Sequence, residues 1–159
     1  MKELTYDQAL LRASSLCSQA EKAPQDIYEK ARTWGLSEQD AARLVARLIE
    51  ESFLSEERFA RAFVNDKFRF AHWGRIKVIY ALRAKGISES AINAALEEKV
   101  EEEDYDQTCR DLLRTRMKNM SLPLSMQDRA RLYRYAAQRG FEAGVIGRAL
   151  DAVLSEQDE

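Results

Sequence analysis

Apolar residues recur along this chain at spacings of three and four, and one arrangement of them returns three times around a glycine. Gly35, Gly86 and Gly140 are separated by 51 and 54 residues, and each is followed at once by an apolar residue, Leu36, Ile87 or Phe141. Eight, seven and four positions before the glycines stand Ile27, Tyr28 and Ala31, then Val78, Ile79 and Leu82, then Leu132, Tyr133 and Ala136. Six and ten positions after them stand Ala41 and Val45, Ile92 and Leu96, Ile146 and Leu150. Residues three or four apart share one face of a helix, so each glycine is predicted to end one amphipathic helix just before another begins.

Ser37 and Ser88 follow two of these glycines closely and are expected to cap the helices that start there. A longer helix is predicted upstream of each pair, over about Thr5 to Ala23, Ser55 to Ala71 and Asp104 to Met120. Three helices thus recur three times, as repeats over residues 1–53, 54–99 and 100–159, with the run Glu101 to Asp104 expected as a solvated linker. A three-helix unit of this size buries little by itself, so the expected architecture is all-α, an elongated, curved tandem array with interfaces between neighbours. Gly144 and Gly147 weaken the last helix, which is expected to fray from Ser155 to Glu159.

Composition agrees with this class. The 159 residues are 33% charged and 45% hydrophobic, with six glycines and two prolines, and lack the alternating β-branched runs that mark strands. No apolar run approaches the roughly 18 residues needed to cross a bilayer, and Met1 to Thr5 lacks a signal core, so a cytoplasmic location is expected. Cys17 and Cys109 stand apart from each other and from the single histidine, His72, so no metal site, disulfide or cofactor is expected. Neither a Gly-rich phosphate loop nor a nucleophile motif is present, and the sequence is read as that of a protein that is not an enzyme.

The formal net charge of −2 conceals a strong alternation. Between Ser55 and Ile87 eight basic residues oppose three acidic ones; between Ser88 and Gln107 one lysine opposes eight acids; between Arg110 and Arg139 eight bases oppose two acids. Arg58, Arg61 and Arg69 are predicted to project from the polar half of the first helix of the second repeat, and Lys77 and Lys85 from one row of the next. Arg110 and Arg114, then Arg131 and Arg134, offer similar rows in the third repeat. These nine residues are the candidate contacts for a partner or for DNA. Exposed basic faces also serve solubility alone. Lys67 falls in the apolar half of its helix, where its stem is expected to lie along the core with the ammonium in water. Phe70 and Trp73, beside His72, are expected to pack rather than to stack bases.

The stretch Leu54-Ser-Glu-Glu-Arg58-Phe59-Ala60-Arg61-Ala62-Phe63, followed by Trp73-Gly74 and by Leu82-Arg-Ala-Lys85-Gly86-Ile87, resembles the core signature of the RecX family. The resemblance extends more weakly to Leu16-Cys17, Glu21, Ile27 and Trp34-Gly35-Leu36. The family often has two aspartates where this chain has Glu56-Glu57, and its usual Lys-Leu pair is here Lys30-Ala31. What the resemblance implies is a fold of tandem three-helix repeats and a regulator that binds the RecA recombinase filament on DNA, opposing strand exchange and the coupled ATP hydrolysis; a monomer is expected. Two other readings of the basic faces stay open: a stand-alone module that binds single- or double-stranded DNA weakly, and a neutral helical scaffold for another protein.

Overall fold

Each of the three repeat glycines closes a helix by the same backbone device in the computed structural model, which describes residues 3–157. Gly35, Gly86 and Gly140 take φ values of +100°, +75° and +98°. This left-handed region is open to glycine at little strain. The residue after each glycine then donates its N–H five positions back: Leu36 to Ala31, Ile87 to Leu82 and Phe141 to Ala136, at 3.1, 3.1 and 3.2 Å. This is the Schellman arrangement, whose companion is an apolar contact from the residue after the glycine. Leu36, Ile87 and Phe141 are accordingly buried.

Among the described residues the chain forms nine α-helices and no strand. The first repeat holds α1 (Tyr6–Gln19), α2 (Pro24–Thr33) and α3 (Glu38–Glu50); the second holds α4 (Glu56–Arg69), α5 (Arg75–Ala84) and α6 (Glu89–Lys99); the third holds α7 (Glu102–Met117), α8 (Met126–Gln138) and α9 (Ala143–Gln157). Capping follows the sequence. Thr5 and Gln8 form a reciprocal capping box at α1. Ser37 accepts from the Asp40 N–H at α3, Ser55 from Arg58 at α4, Ser88 from Ala91 at α6 and Ser125 from Asp128 at α8.

The helices gather into two compact units: Met1–Ala62 with Leu82–Ala94, and Phe63–Ala81 with Ala95–Glu159. In the first, α2 packs on α3 and α1 on α3, around Ala9, Ala13, Ile27, Ala31, Leu44 and Leu48, each fully buried. Small residues on α1 let these helices approach closely. In the second, α7 packs on α8 and α9. Tyr105 lies at its centre, fully buried, with Phe68 stacked at 5.9 Å and Phe141 at 5.1 Å between ring centroids.

Two expectations are corrected. Glu102, Glu103 and Asp104 are not a linker; they form the first turn of α7, where three carboxylates suit the positive end of the helix dipole. The last helix also persists past Ser155 to Gln157, despite Gly144 and Gly147, and Arg114 binds the Glu156 carboxylate from α7. Residues 158 and 159 lie outside the described residues.

Candidate partner-binding surfaces

The first unit carries Arg58, Arg61 and Lys85. Serine capping leaves Arg58 on the first turn of α4, from which its Nε reaches both oxygens of Glu21 at 3.1 Å and its Nη2 the Ser52 carbonyl at 2.7 Å. Lys85, just before the turn glycine, binds Asp26 on α2 at 2.9 Å. Gln25 donates to the Ala84 carbonyl alongside. Arg58 and Lys85 line an open cavity of 470 Å³ floored by Pro24, Ile49 and Leu54. Arg61, next along α4, is half-buried. Both Arg58 and Lys85 were expected to face a partner, yet each is half-buried against a carboxylate of its own unit. Meeting a partner would require giving those bonds up.

The second unit carries the other six candidates. Arg114 is engaged with Asp111 and Glu156, bridging α7 and α9, so it too is internal. Among the described residues Arg69 hydrogen-bonds to Asn65 and Arg110 to Gln107, both neutral neighbours on the same helix, and Arg110 also lies near enough to Glu156 to help lower its pKa. Arg131 lies 3.5 Å from Asp128 but stays 66% exposed, and Arg134 is exposed on the same helix. Lys77 projects from α5 with its ammonium 4.3 Å from the centroid of the Trp73 ring.

Trp73 explains Lys67 as well. The Lys67 ammonium sits 4.8 Å from the Trp73 ring and 5.5 Å from that of Phe63, which meets Trp73 edge-on at 6.3 Å. An ammonium in the apolar half of α4 is therefore received by two aromatic faces. Trp73 packs as expected, whereas Phe70 does not: it is 77% exposed. His72, between them, is exposed and holds φ at +56°.

Arg75 belongs to the basic segment but turns inward. It spans Glu102 at 2.7 Å and Glu142 at 3.0 Å, with its guanidinium 3.9 Å from the Tyr105 ring. Tyr105 accepts from the Arg75 N–H at 2.8 Å and donates to Glu142. Burial pushes the Tyr105 hydroxyl far above its ordinary range, and the bond to Glu142 pushes the same way. Burial works against the Arg75 charge, but Glu142 prevails and holds its pKa above the usual arginine value. This network fixes the start of α5 to α7 and α9.

Two residues that sequence reasoning passed over complete the exposed face of α5. Ile76 and Tyr80 stand one turn apart, 55% and 77% exposed, opposite the buried Val78 and Leu82. The signal was present in the sequence, since apolar residues on both sides of one short helix exceed what a single buried face can absorb. Beside Lys77 they make an apolar and basic surface within the second unit.

Comparison with known proteins places this geometry. Residues 55–96 match the second three-helix domain of RecX, and residues 102–150 the third. The regulatory protein RecX of Chlorobium phaeobacteroides (strain BS1) is 30% identical over 145 residues, covering 89% of this chain and 91% of that protein. The chain belongs to the RecX family. The regulatory protein RecX of Prosthecochloris aestuarii is similar over 98% of this chain and 99% of its own length, at 29% identity. The crystal structure of RecX from Lactobacillus salivarius shares the fold, with a TM-score of 0.83 at 14% identity over 93% of this chain and 96% of that one. All nine candidate residues fall within the two matched RecX domains. Among the described residues no helix is long and apolar enough to cross a membrane, and no cluster of three metal-ligating side chains occurs.

Proposed function

We propose that this RecX-family protein binds the filament that the RecA recombinase forms on DNA, and that it inhibits strand exchange and the coupled ATP hydrolysis. It acts by binding rather than by catalysis, as a monomer in the cytoplasm. The observation that carries this reading is the family match, which covers the second and third repeats where the basic segments lie. In physical terms the exposed face of α5 supplies an apolar anchor in Ile76 and Tyr80 with Lys77 beside it. Buried aromatic anchors dominate the energy of most interfaces, and charge chiefly steers and orients the encounter.

The internal contacts of Arg58, Lys85 and Arg114 shift the expected weight of contact to Arg69, Lys77, Arg110, Arg131 and Arg134, with Arg61 extending it. These residues meet acidic filament surface or the enclosed DNA backbone. A stand-alone DNA-binding role is the weaker reading, because the whole chain is acidic, with a pI near 5.7, far from the value above about 9 typical of basic nucleic-acid binders.

Hydrolysis of ATP and strand exchange by the cognate RecA on single-stranded DNA, measured against increasing amounts of this protein, tests the reading. Inhibition by the wild type, weakened at least about tenfold in a Lys77→Glu, Tyr80→Ser variant that retains its helicity, is the expected result; tenfold corresponds to about 1.4 kcal/mol of contact. A folded wild type without effect on RecA would refute the function. Undiminished inhibition by the variant would refute the α5 assignment.

A further inference from the structure

We propose that the cavity bounded by α7, α8 and the turn after α4 binds the phosphate group of a small ligand, with Arg139 as the anchoring cation. Such a site would exist whether or not the chain binds RecA, and every residue in it belongs to the second unit.

The repeats themselves point to it. The position before the repeat glycine is Lys85 in the second repeat and Arg139 in the third, and Lys85 finds its carboxylate in Asp26, nine positions before the first repeat glycine. Nine positions before the second repeat glycine stands Lys77. Lys77 lies against Gly140, its backbone nitrogen 2.6 Å from where a Cβ on that glycine would stand. At the two repeat positions where the first unit has an acid and a base in contact, the second unit has two bases. Neither forms an ion pair among the described residues: the Lys77 ammonium rests on Trp73, and the Arg139 guanidinium lies 5.7 Å from the Tyr135 ring. The Arg139 Nε is buried and reaches no hydrogen-bond acceptor among the described residues. A buried donor on a charged group that lacks an acceptor is an unstable arrangement by itself.

The cavity into which Arg139 faces has a volume of 340 Å³, within the range of small-ligand sites. Thr108, Thr115, Tyr135 and His72, residues that carry hydroxyl and imidazole groups, line it together with Leu112. Asp111 also borders it, with its Oδ1 held by Gln107 and by Arg114, the latter shared with Glu156. Thr108 donates to the Asp104 carbonyl and would turn from that bond to a ligand. Donors approaching from several sides suit the oxygens of a phosphate better than the two of a carboxylate, and a guanidinium binds phosphate with paired N–H groups. His72 adds a second sign. A left-handed φ of +56° strains any residue with a Cβ, and glycine would hold this turn with less strain; an imidazole kept there brings its side chain to the cavity wall.

His72 is the sole histidine of the chain, so its imidazole carbon-bound protons are read without overlap in an NMR titration, and the Arg139 variants tie a shift to this cavity rather than to the neighbouring one that His72 lines with Arg69. The full-length protein is titrated with pyrophosphate and with ATP, and separately with a short oligothymidylate. The expected result is a saturable His72 shift with pyrophosphate or ATP, weakened at least about tenfold by Arg139→Gln and unchanged by Arg129→Gln, which removes an equal charge from an exposed site on α8. Arg139→Lys, which keeps the charge but loses the fork, should fall between, and serves as the test should Arg139→Gln lose its helicity. No saturable shift, or equal affinity in wild type and every folded Arg139 variant, would overturn the proposal. A shift with the oligonucleotide alone would overturn the small-ligand site and assign the phosphate to a nucleic-acid backbone.

Discussion

The backbone of Gly74 lies directly against that of Gly140. The Gly74 N–H donates to the Arg139 carbonyl at 2.7 Å, and Ile76 donates to the Gly140 carbonyl at 3.0 Å. A Cβ on Gly74 would fall inside van der Waals contact with the Gly140 carbonyl and the Phe141 nitrogen, and these backbone atoms cannot swing aside. Gly74→Ala is therefore expected to destabilise the protein by about 1–3 kcal/mol through overpacking. Gly140→Ala should cost at least about 1–2 kcal/mol for its left-handed φ, and more because its Cβ would press on the Lys77 backbone nitrogen. Urea unfolding followed by helical circular dichroism measures both, and a wild-type midpoint for Gly74→Ala would contradict this close approach.

Gly147 makes the opposite case. It lies inside α9, and a Cβ there would meet nothing within 4 Å. Alanine at this position should stabilise the protein by roughly 0.5–1 kcal/mol by restricting the unfolded chain and favouring the helix. A rise in the same urea midpoint is the expected outcome, and a fall would show that the glycine is needed for a contact or a bend.

Most of the fold was legible in the sequence, because a Schellman turn leaves a local signature of glycine, following apolar residue and helical spacing on both sides. Gly35, Gly86 and Gly140 carry it without help from distant residues. The serine caps were legible for the same reason. Glu102 to Asp104 misled because a run of acids reads alike whether it is a solvated linker or the first turn of a helix, and the deciding partner, Arg75, lies 27 residues away. The basic residues were harder still. Arg58 and Arg69 differ by only about 20° in helical phase on α4, yet one finds Glu21 across 37 residues and the other its neighbour Asn65. Which arginine is internal depends on long-range pairing that periodicity does not encode.

The Arg58 and Glu21 pair separates a structural role from a contact role. Both side chains remain about one third exposed, so solvent screens the pair and its loss should lower stability by no more than about 1 kcal/mol. Arg58→Glu alone should also set two carboxylates together, and Glu21→Arg added to it should recover part of the lost stability by exchanging the partners, the bond from Arg58 to the Ser52 carbonyl staying lost. Should the double variant stay as unstable as the single, the pair does not hold α4 to the segment between α1 and α2.

The two cysteines should differ sharply in reactivity. Cys109 is fully buried in the second unit, and burial, with Asp106 nearby, pushes its thiol up to about 12. Cys17 is half-exposed and its thiol is raised by burial against the opposing effect of Lys22. The thiolate is the reactive form, so at pH 8 one thiol should react with an aromatic disulfide reagent in the native protein, at a rate that rises with pH, and two in denaturant. Replacement of Cys17 by serine should abolish the native reaction. Equal native reactivity of both thiols would contradict the packing of α7.

Filament binding is tested most directly by comparing the affinity of the fluorescently labelled protein for a RecA filament assembled on single-stranded DNA with its affinity for the same DNA without RecA, at 50 and 200 mM salt. Tight binding to the filament at both salt concentrations, with binding to bare DNA at least about a hundredfold weaker, is the predicted result. Equal affinity for the bare strand, falling roughly 10³-fold across that salt range as expected for about six neutralised phosphates, would contradict it and make this RecX-family chain a DNA-binding protein first.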